Sequence, residues 1–180
     1  MQPSSKSVLR YDAVTISLHW LTVILIVVLW TLGQTIDFFP RGAPRVDARS
    51  VHIVLGVSLG VVWCIRLIWR LSAGRHLPPA TTGLLQIAAT GVHWLLYAGI
   101  AAAVTTGIIF AAARGDDFFG LFKLPQLIIL DQASRHNLGE LHDKFATGLL
   151  ILAGLHALAA LFHHYVRHDD TLRRMLRGAR

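Results

Sequence analysis

The sequence predicts an all-α membrane protein, a bundle of four transmembrane helices that forms one domain over residues 1–180. Four apolar runs point to it, each long enough to cross a hydrocarbon core of about 30 Å. Turn-forming residues gather between the runs, and basic residues flank them. The 180 residues are 54% hydrophobic and only 15% charged, far from the balance of an ordinary soluble domain. A net charge of +7 would suit nucleic acid. The basic residues lie between and beyond the apolar runs, however, so the expected partner is the lipid bilayer and not nucleic acid.

The first helix is expected over residues 13–36, a run without a charged side chain. It exceeds a signal-peptide core of about 7–15 residues, and no A-x-A-like cleavage site follows, so it reads as a retained span. Pro40, Gly42 and Pro44 then mark a loop. The second helix is expected over residues 50–71, with Ser50 as its N-cap. Gly56 and Gly60 on it allow close approach of another helix or of a flat ring. Pro78 and Pro79 bar a helix through the next connection. The third helix is expected over residues 84–112 and the fourth over residues 140–166. Between them lies the longest loop, residues 115–139, whose apolar segment L-P-Q-L-I-I-L is too short to span and suits the membrane surface. All six prolines are expected outside the spans.

Lys and Arg set the orientation. The N-terminal segment, the connection after helix two and the C-terminal tail hold ten, from Lys6 and Arg10 through Arg66, Arg70 and Arg75 to the tail, against three acids. The opposite side holds seven basic and seven acidic residues. Positive-inside asymmetry places both termini in the cytoplasm.

Histidines carry the chemistry. Cys64 is alone, no C-x-x-C-H exists, and Met1 and Met175 stand at the ends. An iron held mid-membrane would therefore take histidine ligands without thioether links, as a b-type haem does. His142 and His156 are fourteen residues apart, which returns to within about 40° of one helix face after a climb of about 21 Å. Such a stripe suits two stacked haems, one near each side of the membrane. By depth, His52 pairs with His142 on the outer side, and His19 pairs with His156 on the inner side. His93 lies at nearly the depth of His19, so geometry leaves either as partner of His156. An isolated intramembrane histidine has an ordinary alternative, a hydrogen bond to a neighbouring carbonyl. With both axial positions filled, iron passes electrons instead of binding oxygen.

Four segments then acquire a family context: S-L-H-W at 17–20, V-H-I-V-L-G at 51–56, R-L-I-W-R at 66–70 and G-L-H-A-L-A-A-L-F-H-H-Y at 154–165. Together they resemble the bacterial cytochrome b561 family of small four-helix, di-haem membrane cytochromes. The resemblance implies two non-covalent, bis-histidine b haems, with His19 and His156 on the inner iron and His52 and His142 on the outer one. It decides against His93 as a ligand. It also implies a bacterial inner-membrane oxidoreductase like superoxide oxidase, taking electrons from superoxide outside and reducing ubiquinone inside. A haem subunit fed by a hydrogenase or dehydrogenase partner is the alternative. A histidine-lined metal transporter is a minor one, because the spans lack the carboxylates that such a path needs.

Arg66 and Arg70 suit haem propionates, as guanidinium binds carboxylate in a fork, and equally suit snorkelling anchors. His93 and His163 are candidates for giving protons to reduced quinone. His164 suits an interfacial place, and His76 and His168 suit solvent. Arg41, Arg45 and Arg49 are candidates for attracting an anion to the outer haem, or form a solvated loop.

Overall fold

The computed structural model describes residues 9–79 and 82–176. Lys6, Arg177 and Arg180, counted above for orientation, lie outside them. Four helices dominate: α1 (Ala13–Thr35), α2 (Ala43–Ser72), α3 (Leu84–Arg114) and α4 (Gln132–Tyr165). All four have the length and apolar composition to cross a membrane, and the chain is a multi-pass membrane bundle. A 3-10 turn over Ile36–Phe38 extends α1. A minimal hairpin, β1 (Asp117–Phe118) against β2 (Phe122–Lys123), precedes α4. The bundle thus has a hairpin end, and a tail end where residues 9–12, 73–79 and 166–176 meet.

Two helices begin earlier than their apolar runs. α2 starts at Ala43, so Pro44 lies inside the span, contrary to the expectation that every proline falls outside. In a first turn proline gives up no hydrogen bond, because its missing N–H would have no helical partner. Ser50 is consequently not an N-cap but a fully buried residue within α2. Its hydroxyl donates to the Val46 carbonyl at 2.9 Å and accepts from the Phe119 amide at 2.9 Å, pinning the hairpin onto the helix. α4 starts at Gln132, capped by Asp131, whose carboxylate accepts from the Ser134 amide at 2.6 Å. Its polar first turns are laced by His136, Glu140 and Lys144 at four-residue spacing (3.1 and 3.0 Å). The connection expected over 115–139 is shortened accordingly. Within it Leu127 and Ile129 stay exposed.

α3 packs along α4, α2 along both α1 and α3, while α1 and α4 touch only sparingly. The core lies at mid-height: Leu25, Ile26 and Leu29 of α1, Leu59 of α2, Ile100 and Ala103 of α3, and Leu149 of α4. Leu149 sits over Gly99, where an added Cβ would stand 3.2 Å from its Cδ1. Gly60 likewise serves helix packing, since a Cβ there would meet Val104 at 3.0 Å, whereas Gly56 faces open space. Outward positions such as Ile24, Ile68, Leu155 and Leu158 stay exposed and apolar. On a soluble protein that would be an aggregation surface, and in a bilayer it is the lipid face.

Asp12 joins three segments at the tail end. Its carboxylate caps α1 through the Thr15 amide (2.9 Å) and hydroxyl (2.7 Å) and accepts from Trp69 Nε1 and the Arg75 amide, both at 3.1 Å. Burial alone would raise this carboxyl, but the bonds from Thr15, Arg75 and Trp69 hold it well below the usual range. A lowered folded pKa stabilises fully above about pH 4 and progressively less as pH falls further. Asp12→Ala is expected to cost roughly 0.5–2 kcal/mol. Thermal unfolding in detergent at pH 7 measures it as a lowered midpoint, and the difference from the native chain should narrow toward pH 3.

Candidate functional site: histidines at two levels

All four helices contribute to a set of histidines gathered at two heights; His19, His52, His142 and His156 are half-buried and His93 is exposed. Toward the hairpin end, His52 of α2 faces His142 of α4 with ring centroids 6.2 Å apart and planes at 85°. Both rings lie more than two turns inside their helices, since α2 and α4 start early. Toward the tail end, His19 of α1 faces His156 of α4 at 6.5 Å and 71°. His93 of α3 also reaches His156, at 5.3 Å. The structure thus brings together all five histidines that the sequence singled out for these levels. The apolar core separates the two heights, with Leu149 seven residues from each α4 histidine.

Chemistry and spacing decide whether the sites suit a haem iron. Two metal–imidazole bonds of about 2 Å, plus about 1.1 Å from each nitrogen to its ring centre, put two axial rings about 6.2 Å apart. His52–His142 and His19–His156 match that spacing within a few tenths of an ångström. His93–His156, at 5.3 Å, is about 1 Å too close for a metal between the rings. Steep angles between planes are compatible with rings that share one axis and are rotated about it.

Second partners differ between the levels. His142 Nδ1 lies 3.0 Å from the Ala103 carbonyl, to which it donates, leaving Nε2 with a free lone pair. A ligating histidine is commonly oriented in this way. His52 Nδ1 is buried without a completed hydrogen bond, the Leu29 carbonyl being close by. Glycines make the space: a Cβ on Gly107 would stand 2.9 Å from His142 Cε1, and one on Gly33 would stand 3.2 Å from His52 Cε1. At the tail-end level an Arg66 terminal nitrogen donates to His19 Nδ1 at 2.9 Å, and its guanidinium lies 5.4 Å from the Tyr97 ring centre. Guanidinium only donates, so His19 carries its proton on Nε2 in this arrangement. Iron ligation through Nε2 requires Arg66 to release Nδ1, for which a carboxylate such as a haem propionate is a suitable new partner. The residues fit a b haem at both levels, directly at the first and after that exchange at the second.

Arg66 faces the interior and is half-buried, so it is not a surface anchor, whereas Arg70 is exposed. Arg45 binds the carbonyls of Asp37 and Phe39 and pairs with the Asp37 carboxylate. Arg49 and Arg114 both hold the buried Asp116, at 3.3 and 3.1 Å. Arg41 is exposed. A shallow depression of about 400 Å³ at the hairpin end is lined by Phe110, Arg114, Gln132, Arg135 and His136. Its Phe110 ring packs on Gly139, one turn before His142. His163 meets Asp169, His164 meets the Tyr165 ring, and His76 and His168 are exposed. Among the described residues no three His, Cys, Asp or Glu side chains form a metal-binding group. Sequence reasoning missed Gly33 and Gly107, Tyr97, and Asp116 with Arg114. The faint signal for the glycines was their appearance inside apolar runs.

Comparison with known proteins adds a family. The family described as prokaryotic cytochrome b561 matches residues 10–178. Cytochrome b561 homolog 2 of Escherichia coli strain K12 is 29% identical over 173 residues, covering 93% of this chain and 91% of that protein. The probable superoxide oxidase CybB of Yersinia pestis is 30% identical over 178 residues, covering 93% and 96%. Cytochrome b562 of Cereibacter sphaeroides is 26% identical over 172 residues.

Gly107→Ala is expected to push the His142 ring off its position and lower the haem bound per chain. A pyridine haemochrome assay on the purified variant measures this, and a haem content equal to that of the native chain would contradict the proposed fit.

Proposed function

This chain belongs to the prokaryotic cytochrome b561 family, and from that premise we propose a bis-histidine di-haem electron carrier that oxidises superoxide and reduces ubiquinone. The family makes the chain a multi-pass bacterial membrane protein of electron transfer with b-type haem. In the proposed assignment His52 and His142 hold one haem, and His19 and His156 hold the other. The observation that carries it is the pair of cross-helix ring separations, 6.2 and 6.5 Å, each close to what two axial imidazoles need. A b haem held by these histidines would supply reversible one-electron transfer.

The protein's own groups shape each site. The Ala103 carbonyl fixes His142 in the tautomer with a free Nε2 and aims it across at His52. Arg66 sits where a fork of donors serves a carboxylate beside His19, with Tyr97 beneath it. In this assignment His93 stands close to His156 as a neighbour, not as a ligand. Arg114 and Arg135 line the depression near His142; Arg114 is paired with Asp116, so Arg135 is the group there that favours an anion. Arg45 and Arg49 are engaged with carbonyls and carboxylates, so they support that role less.

The α4 histidines lie about 21 Å apart along the axis, a separation that suits transfer across the membrane. Positive-inside asymmetry puts the tail end, and both termini, in the cytoplasm. Two superoxide ions then yield two oxygen molecules, and one ubiquinone gains two electrons and two protons to become ubiquinol. The Yersinia pestis relative is named a probable superoxide oxidase, which supports superoxide as the electron donor.

Purified protein mixed with ubiquinone and a superoxide source is expected to form ubiquinol. Formation only with an added hydrogenase or dehydrogenase would favour the partner-fed reading. Visible spectra of single variants test the ligands. His142→Ala should lose the hairpin-end haem and keep the other, and His156→Ala should do the reverse. Loss of the tail-end haem in His93→Ala but not in His19→Ala would overturn the pairing.

A further inference from the structure

Beyond its last helix the chain folds back onto its own tail end. The return passes through His168 at φ 53°, in the left-handed region, and Asp169 donates its amide to the His163 carbonyl at 3.1 Å. Three bonds outside this turn hold the tail down. Trp20 Nε1 donates to the Met175 carbonyl at 2.9 Å, the Tyr11 amide to the Arg174 carbonyl at 3.2 Å, and Arg174 to the Pro78 carbonyl at 2.7 Å. The folded tail brings the Asp169 carboxylate to His163 Nδ1 at 2.5 Å, both groups being half-buried. Asp169 also accepts from the Thr171 amide at 2.9 Å. Burial alone would raise its carboxyl, but the bonds from Thr171 and His163 hold it at about 2, so it is ionised at neutral pH and receives the Nδ1 proton.

His163 lies on the His156 stripe of α4, about 10.5 Å farther along the axis and within about 20° of the same face. Of the other charged groups at this end, Arg10 keeps a buried Nε without a hydrogen bond, and the following have partners elsewhere or are exposed. Asp170 pairs with Arg173 at 3.7 Å, Arg66 faces His19, His93 faces His156, His164 contacts Tyr165, and Arg70 and Arg167 are exposed. Among the described residues, Asp169 is the carboxylate paired with a histidine on this face.

We infer that His163, oriented by Asp169, delivers the protons that quinone takes up at the tail end. This rests on the quinone-reducing reading above. Quinone gains one electron and one proton, twice. Each proton leaves His163 for a quinone oxygen, and His163 regains one from water at the tail-end surface. Asp169 is a positioning residue: it fixes the ring by accepting at Nδ1 and leaves the other nitrogen for donation.

The test removes superoxide from the assay. Haem-loaded protein is reduced with dithionite, and its reoxidation by a short-chain ubiquinone is followed by stopped-flow at several pH values. His163→Gln is expected to slow reoxidation by about 10²-fold while the reduced spectrum is unchanged. Asp169→Asn should slow it less, because the ring loses the acceptor that orients it. Asp169→Glu should restore most of the rate. Native rates in both His163→Gln and Asp169→Asn overturn the inference. So does slowing in Asp169→Asn that Asp169→Glu does not rescue, which marks a structural role only. If His163→Gln fails to bind haem, the two Asp169 variants decide. Native protein that ubiquinone does not reoxidise overturns the quinone reading itself.

Discussion

Imidazoles placed in hydrocarbon must find partners for two ring nitrogens, and the rest of this bundle is arranged around that demand. Water is not there to satisfy them, so each unpaired nitrogen would be costly. His142 uses the Ala103 carbonyl for one nitrogen and turns the other toward His52. His19 draws Arg66 into the interior, and Arg66 in turn rests near Tyr97. The buried Nδ1 of His52 has no completed bond. A methyl group at Gly107 would collide with the His142 ring, and one at Gly33 would crowd that of His52. Sparse contact between α1 and α4 follows from the same demand, since the α4 histidines face partners across a space that helix packing would otherwise close.

Much of this was legible in the sequence. Hydropathy alone marked four spans, because a bilayer imposes a length that no soluble fold requires. Histidine spacing on α4 gave the two heights, because helical geometry converts fourteen residues into one face at two depths. Helix starts were less legible. Apolar runs report where lipid begins, whereas a helix begins where a cap allows, as at Gly42 with Pro44 and at Asp131 with Ser134. Ser50 looked like a cap because serine often is one. Its burial against Phe119 depends on a hairpin sixty-nine residues away, which local pattern does not encode. Between His19 and His93, sequence depth offered no choice. Ångström-scale ring separations do, and they favour His19 in the proposed assignment.

Family membership and site geometry bear on different questions. Membership establishes a bacterial membrane protein of electron transfer with b-type haem. Geometry bears on which side chains do the holding and on how each is oriented. The tail illustrates why both are needed: its basic residues first served only to orient the chain, yet folded back they close over the start of α1 and bring a carboxylate to α4.

The aliphatic waist at mid-height has a consequence for energy conservation. Leu25, Ile26, Leu29, Leu59, Ile100 and Leu149 form a greasy septum between the two levels, and such a septum offers protons nothing to hop along. Electrons tunnel through saturated carbon over short gaps, but protons require a chain of polar atoms. In the proposed topology, negative charge crossing inward would therefore travel unaccompanied, working against a membrane voltage that is negative inside. Each crossing would then be opposed by roughly 2.3 kcal/mol per 100 mV and, driven by the donor and acceptor chemistry, would add to that voltage.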